Sequence, residues 1–492
     1  MKILASLLLL SLSARAAITL PAVFSDHMVL QSGKPVPVWG TADANSEVTV
    51  AIGEQKKTTK ADANGKWSLK LDALTASAEP QTLTIGDKAI NDVLVGEVWL
   101  GSGQSNMGLQ VQGANDYEGS KAAANVPLIR VFTESSPSAT TAQAVGKGSW
   151  VICSPETVGR FSATLYFFGR NVYDVLKQPV GLINSSVGGT PIESWISPEA
   201  QKASAELKPF FEAVKKEDAA FDEAKVKAVY ERQVAKWAEE MKQAKAEGKP
   251  APRKPRDPIE TRKRKGNVGG LFNGKISPLI PYAIRGAIWY QGEANTNGPK
   301  PPFYQAQLTL LAKDWRTRWK DEFPFAWVQL PNFTKPGEGW PIVREQMLNA
   351  LSTIPNSGMA ITLDIGEAKN IHPANKQEVG RRLAQWALGA VYHKDVADTS
   401  GPLIDKATVK DGALVLTFTH AKGLNAKGDL TEFEIAGADG QWQAADAKIE
   451  GETVVVSCKA VAEPKQVRYA WKDNPAASLF NGAGIPASPF RK

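Results

Sequence analysis

A chain of 492 residues has room for about two to four domains, and 43% hydrophobic with 22% charged residues is the composition of an ordinary globular protein. The formal net charge is +7, but it is concentrated in one segment, because residues 202–265 hold 18 Lys and Arg against 12 Asp and Glu. The rest of the chain is close to neutral, which argues against a nucleic-acid-binding protein.

The N-terminal residues predict a secretory signal peptide. A charged start at Met1-Lys2 and a mostly apolar run over Ile3–Leu12 precede Ala14-Arg15-Ala16, which has the small residues that a signal peptidase reads. A membrane anchor is the weaker alternative, because the run is well short of the ~20 residues that span a bilayer. We therefore expect a signal peptide at 1–16, a mature chain from Ala17, a secreted or periplasmic location and no membrane span.

Strand and turn signals occupy both ends of the mature chain. In the first part, Lys66–Leu71 alternates polar and apolar residues directly after the tight-turn signal Asn64-Gly65. Similar runs, such as Ala413–Phe418, return from about Pro402 onwards. The predicted antiparallel β-domains are an N-terminal β-sandwich at 17–92 and a C-terminal β-domain at 399–492.

The middle of the chain alternates short apolar runs with helical patterns, which predicts an α/β domain with a mostly parallel sheet at 93–398. The predicted strands include Val95–Leu100, Leu128–Phe132, Val180–Ile183, Ala283–Tyr290, Phe325–Gln329 and Met359–Leu363. The predicted helices include Ala163–Leu176, Tyr304–Lys320 and Lys376–Tyr392. Residues 199–265 are rich in Ala, Lys and Glu and predict a charged helical insertion. It is either a lid or basic ligand surface or, as we favour, a solvated pair of helices.

The two cysteines, Cys153 and Cys458, fall in different predicted domains. In an exported protein they could form a disulfide, and unpaired, buried cysteines are at least as good an interpretation. Neither lies in a metal-ligand pattern.

Ser105 is the first candidate for chemistry. It follows an apolar strand and a Gly-Ser-Gly-Gln turn in Val95–Met107 (VGEVWLGSGQSNM). Such a turn can expose a serine hydroxyl at the carboxyl end of a sheet strand, where the active sites of α/β proteins lie. A serine in a turn is more often structural, and the pattern G-x-S-x-G fails here because Met107 occupies its last position.

Two further blocks place polar donors after strands. Gly188-Gly189 in the block GLINSSVGGTPIESW could aim backbone N–H groups at a developing oxyanion. Gln291 and Glu293 follow a buried strand in the block GAIWYQGEAN, where a side-chain amide could serve the same purpose. Taken singly, an ordinary turn or a polar loop explains each block as well.

His372 is the one well-placed candidate for a general base. Of the four histidines, it alone lies in a loop between an α/β-type strand and a helix, in the block DIGEAKNIHP. A serine nucleophile needs a neighbouring base of suitable pKa, although a single histidine is commonly structural.

Together the blocks resemble those of the sialate O-acetylesterases, a group within the SGNH hydrolases. The similar segments, in the same order as in that group, are LPAVFSDHMVLQ, GQSNM, SSVGGTPIESW, LFNGKISPLIPYAIRGAIWYQGEAN, NIHPANKQEVGRRLA and SLFNGAGIPASPF. The resemblance covers nearly the whole mature chain except the insertion. It implies a secreted carbohydrate esterase with a three-layer α/β core, a mostly parallel sheet and two flanking antiparallel β-domains.

The resemblance also implies roles. Ser105 is the expected nucleophile and His372 its base and acid, while the N–H groups of Ser105 and of Gly188 or Gly189, with the Gln291 amide, form the expected oxyanion hole. Glu293 is expected to orient Gln291 or its loop. The expected reaction is acyl transfer without a metal or cofactor.

The third member of the expected triad departs from the wider pattern. Many SGNH enzymes have an aspartate three residues before the histidine, but Lys369 stands there and cannot accept a hydrogen bond. Asp364 and Glu367 are the candidate acids. We favour a Ser105–His372 dyad held by a backbone carbonyl of the 368–370 loop.

The expected substrate is an O-acetylated carbohydrate, in the first place O-acetyl sialic acid. The alternatives are an acetylesterase acting on xylan, xyloglucan or pectin side chains, or a glycan-binding protein with an inactive core. The retained Ser105, Gln291 and His372 argue against the inactive alternative.

Overall fold

The computed structural model describes residues 17–252, 254–255, 257–260, 268–335 and 337–492. The predicted signal peptide at 1–16 and residues 253, 256 and 261–265 of the predicted insertion lie outside the described residues. The described chain is a mixed α/β structure with a large mixed sheet and separate antiparallel sheets. None of the helices in this part of the chain is both long and apolar enough to cross a membrane.

Short strands, most of them in antiparallel pairs, form the N-terminal region. They are β1 (Val29–Gln31), β2 (Val36–Thr41), β3 (Glu47–Ile52), β4 (Gln55–Lys60), β5 (Lys66–Leu71) and β6 (Ser77–Ile85). Strand β3 pairs with β4 and β6, and β2 pairs with β5 in a ribbon of its own. Alternate residues of β3 are buried, as expected for a strand with one face on a core.

The long strand β7 (Lys88–Gly103) links this region to the central sheet. Its first part pairs antiparallel with β6 and parallel with β1, and its last part continues into the central sheet. Every residue from Val93 to Gly103 is buried. The predicted boundary between residues 92 and 93 therefore falls inside one continuous strand.

The central strands overlap the apolar runs that predict them, except β9, which no run predicts. They are β8 (Ile129–Thr133), β9 (Trp150–Ile152), β10 (Val180–Ser186), β11 (Gly286–Tyr290), β12 (Phe325–Val328) and β13 (Ser357–Ala360). The spatial order is β13-β12-β11-β7-β10-β8-β9, and each neighbouring pair is parallel except β8 and β9. Continuous burial along β11 and β12 is typical of strands covered on both faces.

Helices connect these strands and cover the sheet. They are α1 (Ser105–Gly108), α2 (Tyr117–Ala122), α3 (Ala163–Leu176), α4 (Pro198–Ala203), α5 (Lys208–Ala219), α6 (Glu223–Ala246), α7 (Tyr304–Trp319), α8 (Gly339–Ala350) and α9 (Lys376–Trp386). The predicted bounds of α3 are confirmed, and its start is fixed by the Ser162 side chain, which accepts a hydrogen bond from Leu165 N. The helix predicted at Lys376–Tyr392 ends at Trp386 and is followed by a π-helical turn.

The described part of the predicted insertion is mostly helical. Helix α6 has no buried residue, whereas α5 buries Phe210. The indole N–H of Trp237 donates to the carbonyl of Pro252 at 2.8 Å, so the chain after α6 returns alongside it.

The C-terminal region is built from antiparallel strands. They are β14 (Leu403–Lys410), β15 (Ala413–Thr419), β16 (Asn425–Ala426), β17 (Phe433–Ala436), β18 (Gln443–Ala444), β19 (Asp446–Glu450), β20 (Thr453–Ser457), β21 (Gln466–Tyr469), β22 (Leu479–Phe480) and β23 (Phe490–Arg491). Two four-stranded sheets, β14-β15-β20-β19 and β18-β17-β21-β23, account for most of them.

Both cysteines are free thiols, so the disulfide considered from the sequence does not form. Cys153 is buried, and burial raises the pKa of its thiol to about 12. Cys458 is only partly buried. A thiol with so high a pKa is unreactive at neutral pH, and we assign Cys153 to the core.

Candidate active site

Three segments that carry predicted site residues follow strands whose last residues are in register in the central sheet. Gly103, the last residue of β7, is in register with Ser186 at the end of β10 and with Tyr290 at the end of β11. The residues that follow these three strands therefore emerge side by side at the carboxyl edge of the sheet, where binding sites of α/β proteins lie.

Gly103 allows the chain to turn sharply between β7 and Ser105. Its φ angle is +136°, and a Cβ atom at this position would lie 2.1 Å from the carbonyl oxygen of Tyr290. The next residue, Gln104, donates its backbone N–H to that same carbonyl at 2.9 Å. A side chain larger than hydrogen at Gly103 would break this contact.

Ser105 and His372 are brought together although 267 residues separate them. The Oγ atom of Ser105 lies 2.7 Å from Nε2 of His372, and both residues are partly exposed. Ser105 is the first residue of α1, and His372 lies in the loop between β13 and α9. This distance allows direct proton transfer between the hydroxyl and the imidazole.

The loop that carries His372 is held by Glu367 through hydrogen bonds. Oε1 of Glu367 accepts from Ala374 N at 2.8 Å, and Oε2 accepts from the Asn370 amide at 3.1 Å. The Asn370 side chain also accepts from His372 N and donates to His372 O. Glu367 thus braces the backbone on both sides of the histidine.

Asp364, the other candidate acid, has a different partner. Its two carboxylate oxygens accept hydrogen bonds from both terminal nitrogens of Arg382, at 2.6 and 2.7 Å. The Arg382 side chain is only 3% exposed and also donates to the carbonyl of Ile361. This bidentate pair joins the end of the β13 segment to α9.

The Gly188-Gly189 turn lies beside Ser105. A Cβ atom at Gly188 would lie 3.3 Å from Cβ of Ser105, so the Gly188-Gly189 turn lies directly against the serine. Gly189 adopts a φ of +71°, which favours glycine in this turn. Across the part of the chain that the structure describes, the N–H groups of Ser105 and Gly188 have no hydrogen-bond acceptor.

Gln291 is fully buried and uses its amide within the protein. Its Nε2 donates to Thr190 O at 3.1 Å and to Asn295 Oδ1 at 2.7 Å, and its Oε1 accepts from the Tyr304 hydroxyl at 3.0 Å. This arrangement differs from the predicted oxyanion donor, because both amide hydrogens are already donated. Gln291 instead fixes Thr190, which ends the Gly188-Gly189 turn.

Glu293 contacts the nucleophile's helix rather than Gln291. Its Oε1 accepts from Nδ2 of Asn106 at 2.5 Å, and burial raises the pKa of its carboxyl. The Oδ1 atom of Asn106 accepts from Nζ of Lys376 at 2.8 Å. Burial lowers the pKa of Lys376 to about 7, since it disfavours the charged form.

Asn106 and Lys376 are site residues that the sequence interpretation missed. Both lie inside the motifs that carry the resemblance, in GQSNM and NIHPANKQ. An asparagine beside a nucleophile and a lysine at the start of a helix have ordinary surface roles, so only the three-dimensional contacts reveal them.

Comparison with protein families identifies one domain model. Residues 274–389 match the carbohydrate esterase domain described as sialic acid-specific acetylesterase. This range contains the strand ending at Tyr290 and the His372 loop.

Similar proteins extend the comparison over almost the whole chain. The sialate O-acetylesterase of Rattus norvegicus is 28% identical over 94% of this chain and 92% of its own length. That of Homo sapiens is 26% identical over 97% of this chain and 93% of its own length. The crystal structure of a carbohydrate acetylesterase from Xanthomonas citri is 32% identical, covers 96% of this chain and 99% of its own, and superposes with a TM-score of 0.80.

Proposed function

Because the chain belongs to the carbohydrate esterase family of sialic acid-specific acetylesterases, and is therefore a carboxylic-ester hydrolase, we propose that it removes O-acetyl groups from sialic acids by acyl transfer through Ser105. The observation that carries the proposal is the 2.7 Å distance between Ser105 Oγ and His372 Nε2 at the carboxyl edge of the sheet. The name of the relatives gives the substrate class.

The reaction takes place in two steps. His372 removes the proton from the Ser105 hydroxyl as its oxygen attacks the acetyl carbonyl carbon, and then gives that proton to the departing sugar oxygen. A water molecule, deprotonated by His372, attacks the acetyl-serine and releases acetate. Each step begins and ends with a neutral imidazole, so His372 alone can shuttle the proton.

Two backbone N–H groups stabilise the tetrahedral oxyanion. Those of Ser105 and Gly188 have no acceptor among the described residues and are available to it. Gln291 contributes by holding Thr190, and therefore the turn that carries Gly188.

The two acids that precede His372 each have hydrogen-bond partners of their own. Asp364 is committed to Arg382, and Glu367 braces the loop of His372. We propose a Ser105–His372 dyad in which a backbone carbonyl of the 368–370 loop fixes the imidazole tautomer, and the Asp364 and Glu367 variants described below test it.

We also propose that the enzyme is exported and that its α/β core has the SGNH arrangement. Support for export comes from the signal-peptide pattern at 1–16. Support for the three-layer SGNH arrangement comes from the strand order and from the serine, glycine and histidine segments at one sheet edge.

Replacing Ser105 with alanine tests the nucleophile. We expect kcat for 4-nitrophenyl acetate to fall by about 10^4 or more, with the melting temperature unchanged, because the covalent step is lost. A fluorophosphonate probe should label the wild type at Ser105 and leave the variant unlabelled.

The matched control is Ser457→Ala, at an exposed serine on β20 in the C-terminal region, which should keep full activity. A Ser105→Ala variant that keeps a tenth of wild-type turnover would contradict the proposal. Acetate release from O-acetyl sialic acid should exceed release from acetylated xylan, xyloglucan and pectin; the reverse order would move the activity to the plant polysaccharides.

A further inference from the structure

The side-chain amide of Asn106 is completely used by three partners from three segments of the chain. Its Nδ2 donates to Oε1 of Glu293 at 2.5 Å and to the carbonyl of Ile371 at 2.9 Å. Its Oδ1 accepts from Nζ of Lys376 at 2.8 Å. The residue is fully buried.

These partners specify one orientation of the amide. A lysine side chain can only donate when charged, so Lys376 selects the amide oxygen of Asn106. The carboxylate of Glu293 and the carbonyl of Ile371 can only accept, so they select the amide nitrogen. A rotation of the amide by 180° would leave all three partners unsatisfied, which is costly in a buried site.

Lys376 lies in a buried position, where the charged form of a lysine is disfavoured. Its side chain is fully buried, and its Nζ also donates to Pro373 O at 2.7 Å and lies 5.3 Å from the centre of the Tyr290 ring. The oxygens that accept hydrogen bonds from Nζ, the Asn106 amide oxygen and the Pro373 carbonyl, are both uncharged. The carbonyl of Ile371 can only accept, so it fixes the position of Nδ2 and leaves Oδ1 facing Nζ in either protonation state of Lys376.

The hydrogen bonds of Asn106 connect the segments that carry the two reacting residues. Asn106 directly follows Ser105 in the chain, and Ile371 directly precedes His372. The Asn106–Ile371 hydrogen bond is therefore one residue away from the nucleophile on one side and one residue away from the base on the other. Lys376 secures the opposite end of the same amide and, through Pro373, the other flank of the histidine loop.

We propose that Lys376, Asn106 and Glu293 form a buried clamp that sets the distance between Ser105 and His372, and that Lys376 is a positioning residue for acyl transfer. The inference rests on the proposed Ser105–His372 chemistry. Lys376 touches neither substrate nor the reacting atoms; it acts by fixing the Asn106 amide. A displacement of about 1 Å between reacting groups lowers turnover by about 100-fold, so a modest relaxation of the clamp has a measurable effect.

Lys376→Met keeps the length of the side chain and removes its donors. We expect kcat for 4-nitrophenyl acetate to fall about 10- to 100-fold while KM changes by less than about twofold, because only the alignment of the reacting groups is lost. The rate of fluorophosphonate labelling of Ser105 should fall by a similar factor, since labelling needs the same serine and base but no sugar contact.

A double-mutant cycle separates positioning from general destabilisation. If Lys376 acts through the amide, Lys376→Met should cause little further loss of kcat in an Asn106→Ala background. Lys275→Met is the matched control, because Lys275 is also buried and also donates to main-chain carbonyls, those of Glu134 and Ser136. It should lower the melting temperature but leave kcat within about twofold of the wild type.

A folded Lys376→Met protein with wild-type kcat and labelling rate would overturn the clamp, as would fully additive losses in the cycle. If Lys376→Met does not fold, Glu293→Leu removes the acceptor of the same amide with a side chain of similar size, and unaltered kcat and labelling there would also overturn it. Failure of the clamp differs from failure of the proposed function. If only the clamp is wrong, Ser105→Ala is inactive and Lys376→Met has the kcat of the wild type. If the proposed function is wrong, Ser105→Ala itself stays active.

Discussion

At the scale of single residues, the two carboxylates that precede His372 have separate partners and therefore separate expected effects. Asp364→Asn weakens the bidentate bond to the buried Arg382, so we expect the free energy of unfolding to fall by about 1–3 kcal/mol with little change in kcat. Glu367→Gln keeps one acceptor for the loop, so we expect kcat to fall less than about tenfold. Urea unfolding and steady-state kinetics measure the two effects.

A large kinetic effect of either substitution would contradict the dyad. A serine protease without its triad carboxylate loses about 10^4 in kcat, so a loss of that size with the fold intact identifies a true triad acid. The exposed Lys369→Gln, between the two carboxylates and His372, is the control and should leave both measurements unchanged.

The sequence predicts some residues of the site better than others. Ser105 and His372 could be chosen because few side chains can act as nucleophile and base, and each follows an apolar strand. The hydrogen-bond partners of Gln291 and Glu293 cannot be predicted from the sequence, because those partners are distant in the chain and come close only in the folded protein. Gln291 therefore binds Thr190 and Asn295, and Glu293 binds Asn106.

At the scale of elements, the turn after β7 depends on the absence of a side chain at Gly103. Gly103→Ala would place a methyl group 2.1 Å from the Tyr290 carbonyl in a backbone conformation with φ of +136°. We expect the free energy of unfolding to fall by about 2–4 kcal/mol and kcat to fall as well, because the same shift displaces Ser105. Urea unfolding and 4-nitrophenyl acetate hydrolysis check both effects.

Gly440→Ala is a suitable control for this change. Gly440 also has a positive φ, of +70°, but a Cβ atom there meets no other atom within 4 Å. Only the cost of the backbone conformation should appear, about 1 kcal/mol, with normal activity. Equal stability of the two variants would show that the neighbouring carbonyl moves aside and that the contact at Gly103 is not essential.

The sequence predicts the positions of helices and strands that are buried along their whole length. It does not predict where each element begins and ends. The strands β10 to β12 and the helix α3 follow directly from apolar runs and helical periodicity. The boundary at Val93 marks a real change in composition, but β7 continues through it because hydrogen bonding to β6 and then to β10 needs no break in the chain. The residue composition indicates which residues are buried, whereas the length of a strand depends on its hydrogen bonds to neighbouring strands.

At the scale of the whole molecule, the C-terminal region is fastened to the loop that follows β12. The buried Arg344 guanidinium donates to the carbonyls of Leu330 and Pro331 in that loop and of Lys472 and Asp473 in the C-terminal region. Gln329 adds a side-chain hydrogen bond to Ser488 at 2.8 Å. These hydrogen bonds tie the C-terminal region to the loop that leaves the carboxyl edge of the central sheet.

The helical insertion is attached much more loosely. Helix α6 has no buried residue, whereas Phe210 on α5 is buried with its ring centre 5.6 Å from that of Phe303. Phe303 belongs to the segment that follows the Gln291–Asn295 block, so α5 supports a part of the site region while α6 extends away as a charged, solvated helix.

We therefore expect that residues 221–260 can be replaced with a flexible linker of about 10 residues without loss of hydrolysis of a small ester. The kcat and KM for 4-nitrophenyl acetate should stay within about threefold of the wild type, because no residue of the Ser105–His372 site or of the buried clamp lies in this segment. Phe210→Ala, which keeps α6 but loses the buried ring, should by comparison lower the melting temperature. Complete loss of activity in a folded deletion variant would show that the insertion helps to build the site and acts as a lid.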